Sequence, residues 1–354
     1  MNIEKLDPNL RINHSIKKDD IIWLDVREEP FEIFGLYRPK NESVFKRMPA
    51  DFANKVSTGV SELNTNTSGG RVRFATDSKY IAIRTVMKDI GNMSHMPLSG
   101  KAGFDLYTGS DKDCIYSASF MPSDSDQYGY EALYEFDKKE DREITINFPL
   151  YNGVDTLYIG LEKDAVIGKN ASYKYPVPIV FYGSSITQGG CASRPGNMYP
   201  SIISRKLDSD YICLGFSGNA KGEQLMAEYI ATLNMSLFVM DYDHNAPNAE
   251  HLQKTHYPFY ELIRQINPEL PIIMVSKPDT DRAPQESKKR RDVIYASYQK
   301  ALDNHDENVY FIDGSTLFGT DCRDSCTVDG CHPNDLGFYR MACVIGEKIK
   351  EILD

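Results

Sequence analysis

The stretch Ile179-Val-Phe-Tyr-Gly-Ser-Ser-Ile-Thr-Gln-Gly-Gly190 decides the fold. Four apolar residues run directly into a glycine and two serines, the pattern of a short strand buried on both faces that ends in a polar loop. The same pattern recurs downstream. Residues 211–215, 237–241, 272–276 and 309–313 read as further buried strands, and helical stretches fall near 198–207, 223–233, 249–266, 285–304 and 333–353. Strands alternating with helices predict a parallel sheet covered by helices on both faces.

Upstream, from about 23 to 161, the period drops to two. Arg71-Val-Arg-Phe-Ala, Tyr80-Ile-Ala-Ile-Arg-Thr-Val, Glu143-Ile-Thr-Ile-Asn-Phe and Thr156-Leu-Tyr-Ile-Gly-Leu alternate inward and outward residues and are parted by Gly, Asn, Asp and Ser turns. Such strands predict an antiparallel sandwich. Its many Tyr and Phe residues read as core and cross-strand pairs before they read as a sugar-stacking surface. Ala171-Ser-Tyr-Lys-Tyr-Pro-Val-Pro reads as the linker, giving a sandwich domain over 1–172 and an α/β domain over 173–354.

The 354 residues are 41% hydrophobic and 26% charged, the make-up of a chain that buries a proper core. With 40 Lys and Arg against 51 Asp and Glu, the net charge of −11 repels phosphate backbones and anionic headgroups, which argues against nucleic acid and membranes as partners. The basic run 288–291 reads as a solvated helix face. No apolar run approaches the ~18 residues of a membrane span. Met1-Asn-Ile-Glu-Lys-Leu-Asp lacks the features of a secretory leader, and seven scattered cysteines are unlike a disulfide framework, so a cytoplasmic location is expected.

In an open parallel sheet, ligands bind beyond the carboxyl ends of the strands. There the sequence places Gly183-Ser-Ser-Ile-Thr, Gly215-Phe-Ser-Gly-Asn, Asp241-Tyr-Asp-His-Asn and, after the last strand, Asp329-Gly-Cys-His-Pro. A serine, small polar turns, an asparagine and an Asp-x-x-His pair on one rim are the parts of acyl transfer: nucleophile, oxyanion donors, base and base-orienter. Pro333 suits the first position of a helix, which would set His332 at its entrance with Asp329 in reach of one ring nitrogen. The alternatives are a turn-organising Asp329 with a capping His332, and Ser184 in place of Ser185 as the reactive serine.

Together the four blocks resemble the SGNH (GDSL-type) hydrolase family. The resemblance implies a flavodoxin-like three-layer α/β/α domain, with Ser185 as nucleophile, Asp329 and His332 completing a triad, and Gly218 and Asn245 joining the Ser185 N–H in the oxyanion hole. Gly103-Phe-Asp-Leu-Tyr fits the Gly-x-Asp-Leu-Tyr signature of an N-terminal domain, here read as jelly-roll-like, that accompanies a bacterial subgroup of these esterases. Gly189-Gly-Cys-Ala-Ser-Arg-Pro-Gly also resembles that subgroup. Two departures stand out: Ser184 replaces the aspartate usual before the nucleophile, and Asp243-His-Asn-Ala replaces the usual Gly-x-Asn-Asp.

The implied activity is hydrolysis of small acyl esters, acetyl foremost, on carbohydrates, through an acyl-enzyme and without metal or organic cofactor. Arg194, Asp243, Asp105 and Tyr107 are candidate substrate contacts, and an acetylated sugar or oligosaccharide is the candidate partner. A non-catalytic carbohydrate-binding protein and an acyltransferase with a sugar acceptor are the rival readings. Asp241-x-Asp243-x-Asn245 opens like a calcium loop, but Ala246 and Leu252 occupy the glycine and bidentate glutamate positions. Cys322, Cys326, Cys331 and His332 lack the Cys-x₂-Cys spacing of structural zinc sites. Nucleotide loops, of either the Walker or the Gly-x-Gly-x-x-Gly kind, are absent.

Overall fold

The computed structural model describes residues 12, 16–109 and 114–354. Residues 1–7, on which the leader reading rests, lie outside them.

The period-two segments form two facing antiparallel sheets. One has the order β1 (Ile21–Asp25), β9 (Val154–Glu162), β4 (Tyr80–Met87), β7 (Gly129–Glu135). The other runs β10 (Ile167–Gly168), β3 (Arg71–Thr76), β8 (Arg142–Asn147), β5 (Phe104–Thr108), β6 (Ile115–Phe120), with β2 (Glu32–Phe34) also paired to β3. Alternation does the sorting. Val72, Phe74, Leu106, Ile144 and Ile146 point inward to meet Ile81, Ile83, Leu157 and Ile159 of the opposite sheet, all wholly buried.

The second half builds a parallel sheet from β11 (Tyr175–Gly183), β12 (Ser209–Gly215), β13 (Leu237–Asp241), β14 (Ile272–Val275) and β15 (Val309–Ile312), ordered β12-β11-β13-β14-β15. This is the flavodoxin-like order, whose switch point lies beside the first strand. The pleat splits the strand residues between two cores. Val180, Tyr182, Phe238, Met240, Ile272 and Met274 face helices α6 (Gln224–Ala231), α7 (Ala249–Ile266) and α8 (Pro284–Asp303). Ile179, Phe181, Leu237, Val239, Ile273 and Val275 face α5 (Tyr199–Leu207) and α9 (Asp335–Leu353).

The two halves interlock. Two short helices inserted ahead of β3, α1 (Ala50–Val56) and α2 (Thr58–Leu63), give Ala53 and Val60 to the core around α6 and α7. Arg47, fully buried, donates to the carbonyls of Cys213, Gly215 and Leu63 and lies over the Phe216 ring at 4.3 Å. The outer face of the β3-β8-β5 sheet, which carries Arg71, Arg73, Asn147, Asp105 and Tyr107, is polar because it meets the loops and helix that precede β12.

Candidate active site

At the end of β11 the chain folds back tightly. A Cβ on Gly183 would lie 2.0 Å from Thr187 Oγ1 and 2.4 Å from the Asp241 carbonyl, so only glycine fits. Ser184 is buried, and its Oγ accepts the Ile186 N–H at 3.1 Å, capping the short helix α4 (Ser185–Gln188). The cap occupies Ser184, and Ser185, the first residue of α4, is the serine that faces the rim. Its Oγ lies 2.9 Å from His332 Nε2. Behind it, Thr187 Oγ1 and Tyr199 Oη donate to Asp241 Oδ2 at 3.0 and 2.9 Å. Burial pushes the Asp241 carboxyl up to about 7 against the pull of those two bonds.

The opposite wall is the loop before α9. Asp329 Oδ1 accepts the backbone N–H groups of Cys331 (2.9 Å) and His332 (2.7 Å), and Oδ2 lies 2.8 Å from His332 Nδ1. Partial burial pushes the carboxyl up, but these hydrogen bonds outweigh it and hold Asp329 at about 2. An ionised carboxylate only accepts, so Nδ1 carries the ring hydrogen and Nε2 is left as the acceptor for the Ser185 hydroxyl. The expected helix start at Pro333 is corrected. Asn334 is the N-cap, accepting the N–H groups of Leu336 and Gly337, and α9 begins at Asp335. An asparagine side chain caps two orphan donors, whereas proline at the first position supplies only a favourable φ.

Three N–H donors expected of an oxyanion hole lie on loops after β11, β12 and β13. Gly218 sits in the turn after β12 at φ +69°, and a Cβ there would meet nothing within 4 Å. The N–H groups of Ser185 and Gly218 have no acceptor among the described residues. Asn245 ends a 3₁₀ turn (Asp243–Asn245); its Nδ2 donates to the Phe216 carbonyl at 2.8 Å, which fixes the amide while a second hydrogen stays free.

That turn is held from inside. Asp243 is buried, with Oδ1 accepting Arg290 Nε (2.8 Å) and Oδ2 accepting the Lys277 N–H (2.8 Å). Arg290 also donates to the carbonyls of Asp243 and Ala246. Two expectations are corrected here. Asp243 has both oxygens engaged and is not a substrate contact, and the run 288–291 is not wholly solvated, since Arg290 turns into the core on the buried face of α8. Arg290 is a residue that sequence reasoning missed; nothing in a Lys-Lys-Arg-Arg string marks the one that points inward.

Asp105 and Tyr107 are corrected likewise. In β5, Phe104 and Leu106 face the sandwich core, which turns Asp105 and Tyr107 toward the other half of the molecule. Asp105 is wholly buried. Its Oδ1 accepts Asn147 Nδ2 at 2.8 Å, and its Oδ2 accepts the Gly196 N–H at 2.7 Å and Arg194 Nη1 at 3.0 Å. Arg194 also donates to Tyr107 Oη and stacks on Tyr116 at 3.9 Å. Burial pushes the Asp105 carboxyl up while Arg194 and these donors pull it down. With these bonds made, Arg194, Asp105 and Tyr107 form a clamp between sandwich and α/β layers.

The sandwich reaches the site through other residues. Tyr151 Oη donates to the Ser185 carbonyl (3.2 Å), Ser68 Oγ to the Gln188 carbonyl (2.7 Å), and Gln188 Nε2 to the Leu150 carbonyl (3.1 Å), so α4 is braced from outside its own sheet. His95, on the loop before α3 (Leu98–Lys101), brings its ring 5.8 Å from that of His332. These ties span 34 to 237 positions and leave no local signal in the sequence.

Cys191 is an unsuitable rival nucleophile, because burial pushes its thiol up to about 12. Among the described residues, two groups have ligand atoms close enough to share a metal ion: His244, Asp279 and Cys331, and Asp329, Cys331 and His332. Cys322 and Cys326 belong to neither. The second group is the loop that pairs Asp329 with His332. In the first, His244 Nε2 lies 2.6 Å from Asp279 Oδ1, an ionic contact off the hydrogen-bonding direction. Burial pulls the imidazole down, but Asp279 and Cys331 together raise it to about 10.

The sequence profile of the GDSL-like lipase/acylhydrolase family matches residues 176–350, and that of the N-terminus of SGNH-hydrolase-type esterases matches 21–167. No curated protein matches the chain in sequence. Among solved structures, a GDSL-like lipase from Bacteroides ovatus superposes with TM-score 0.85 at 29% identity, over 94% of this chain and 98% of that one. A salicylyl-acyltransferase from a tetracycline biosynthetic pathway gives 0.75 at 18% identity, over 95% and 98%. An acetyl xylan esterase from the rumen bacterium Butyrivibrio proteoclasticus gives 0.59 at 14% identity, over 94% and 98%. The last two show a shared fold alone.

Proposed function

We propose, from the premise that this chain belongs to the GDSL-like lipase/acylhydrolase family and is a hydrolase of ester bonds, that it removes small acyl groups, acetyl foremost, from carbohydrates through a Ser185 acyl-enzyme. His332 Nε2 takes the Ser185 proton as Oγ attacks the acyl carbonyl, and Asp329 steadies the imidazolium. The N–H groups of Ser185 and Gly218 and the Asn245 amide receive the oxyanion. The imidazolium then protonates the leaving alkoxide. Water, deprotonated by the same ring, releases the acid and frees Ser185.

The observation that carries this reading is the continuous chain Ser185 Oγ–His332 Nε2 at 2.9 Å and His332 Nδ1–Asp329 Oδ2 at 2.8 Å. A carbohydrate carrier is supported by the acetyl xylan esterase of like fold and by a triad near the surface, where the Asp329 side chain keeps 42% of its exposure and a bulky alcohol has room.

An acyltransferase reading is favoured by the fold-wide likeness to the salicylyl-acyltransferase, since it needs the same acyl-enzyme and differs only in the acceptor. The test is turnover of p-nitrophenyl acetate and of acetylated oligosaccharides by wild type and Ser185→Ala, with products analysed with and without free sugar. Acetate release lost in the variant supports the hydrolase; acetyl appearing on the added sugar moves the assignment to the transferase. Undiminished activity of Ser185→Ala removes Ser185 from its role.

A further inference from the structure

Where the outer face of β3 and β8 meets α5 lies a cavity of about 30 Å³, measured over water centres; one water needs roughly 10–15 Å³ of that space. Arg71, Arg73 and Arg205 line it together with Cys114, Asn147 and Tyr173. Arg71 is fully engaged: it donates to Tyr173 Oη, to the Gly69 and Tyr211 carbonyls and to Asp210. Arg73 is not. It is 3% exposed, its guanidinium stacks over Tyr173 at 4.0 Å, and its Nε is buried with no acceptor. It makes no hydrogen bond or ion pair through its side chain among the described residues. Its cross-strand neighbour Glu32 is turned toward Lys169, 4.0 Å away.

Arg205 stacks on Tyr107 at 4.3 Å and reaches the Gly196 and Ser201 carbonyls, again with no carboxylate partner. Asp210 is paired with Arg71 and Asp105 with Arg194, which leaves Asp208 as the one further carboxylate on the cavity wall among the described residues. Among the described residues, two guanidinium charges therefore share one carboxylate. Arginine stays protonated in a protein, and a buried cation needs a counter-charge and acceptors for its fork of N–H groups.

We propose that this seam binds a small inorganic anion, a halide or an oxoanion of phosphate size or less, between Arg73 of the sandwich and Arg205 of α5. The planar fork of Arg73 supplies the hydrogen bonds, and Asn147, whose Nδ2 gives one hydrogen to Asp105 and keeps a second, completes the shell. Because the two arginines come from opposite halves, the anion is a bolt across the same interface that Asp105 and Arg194 clamp, and its binding favours the docked arrangement.

The test is thermal unfolding of the full chain in sodium chloride, bromide and phosphate against sodium gluconate at equal ionic strength, for wild type, Arg73→Met and Arg205→Met. Crystals soaked in bromide are examined by anomalous scattering. The expected result is a midpoint raised by about 2–4 °C in at least one small-anion salt, lost in both variants, with a bromide peak between the two arginines. A response to chloride and bromide alone assigns a halide, and one to phosphate alone an oxoanion. Identical wild-type curves in all salts overturn the proposal and mean that the chain itself supplies the counter-charge. A shift that persists in Arg73→Met overturns it too, since the anion then binds elsewhere. Should both variants fail to fold, wild-type crystals soaked in bromide and in phosphate decide: density for neither anion between the two arginines overturns the proposal.

Discussion

Replacing Arg290 by methionine removes the cation that holds the third rim loop from inside. The Asp243 side chain is 1% exposed and that of Arg290 7%, so solvent screens the pair little. Removing one partner of such a pair costs about 3–5 kcal/mol, chiefly because a buried charge is left unpaired. The Lys277 N–H still reaches Asp243 Oδ2, so the lower end, about 3 kcal/mol, is expected. Asn245 rides on the same turn, and its amide loses its aim when Asp243 and the Ala246 carbonyl are released; kcat is expected to fall by up to ~10²–10³, the worth of one oxyanion donor. Adding Asp243→Asn removes the stranded charge and is expected to return about 1–3 kcal/mol, a coupling of ordinary size for contacting residues. Urea unfolding gives the stabilities and p-nitrophenyl acetate turnover the rates. A loss below about 1 kcal/mol in Arg290→Met, or a double variant no better than the single, refutes the reasoning.

Asn245→Ala keeps the Phe216 turn but deletes one donor, so kcat is expected to fall ~10²–10³ with little change in the urea midpoint; an unchanged kcat removes Asn245 from the oxyanion hole. Asp241 is raised to about 7 by burial, so the native state holds a proton that the unfolded chain loses near 4. Its contribution to stability is fully present at low pH and is lost as pH rises from about 4 toward 7; Asp241→Asn is expected to flatten that fall, and an identical pH profile in the variant contradicts it. Arg194→Met strands the buried Asp105 carboxylate and is expected to cost about 2–3 kcal/mol, less than a wholly buried pair because Arg194 keeps 21% exposure, while KM for small esters stays within about twofold. A large KM rise at unchanged stability makes Arg194 a substrate contact.

Much of this was legible in the chain. The parallel strands and their helices declare themselves because β13, β14 and the second half of β11 are buried on both faces, so each reads as an unbroken apolar run. The sandwich strands declare themselves because only one face is core. The rim loops follow from the order of the strands. What stayed hidden depends on partners distant in sequence. Arg290 is indistinguishable by composition from its exposed neighbours Lys288 and Lys289, and only its position on the inward face of α8 selects it. Asp105 and Tyr107 alternate with core residues as any surface pair does; only Arg194 and Gly196, some ninety positions on, turn them into a clamp. Pro333 favours a first helical turn, but the stronger Asn334 cap one residue later sets where α9 starts.

The central claim is that Ser185 and His332, 147 positions apart, act as one nucleophilic unit. Mass spectrometry of the protein quenched during turnover of p-nitrophenyl acetate, followed by peptide mapping, tests it most directly. The expected result is a transient acetyl group on the peptide bearing Ser185, absent in Ser185→Ala and failing to build up in His332→Ala. An acetyl group carried by another residue in the wild type, or full steady-state turnover by either variant, contradicts the account.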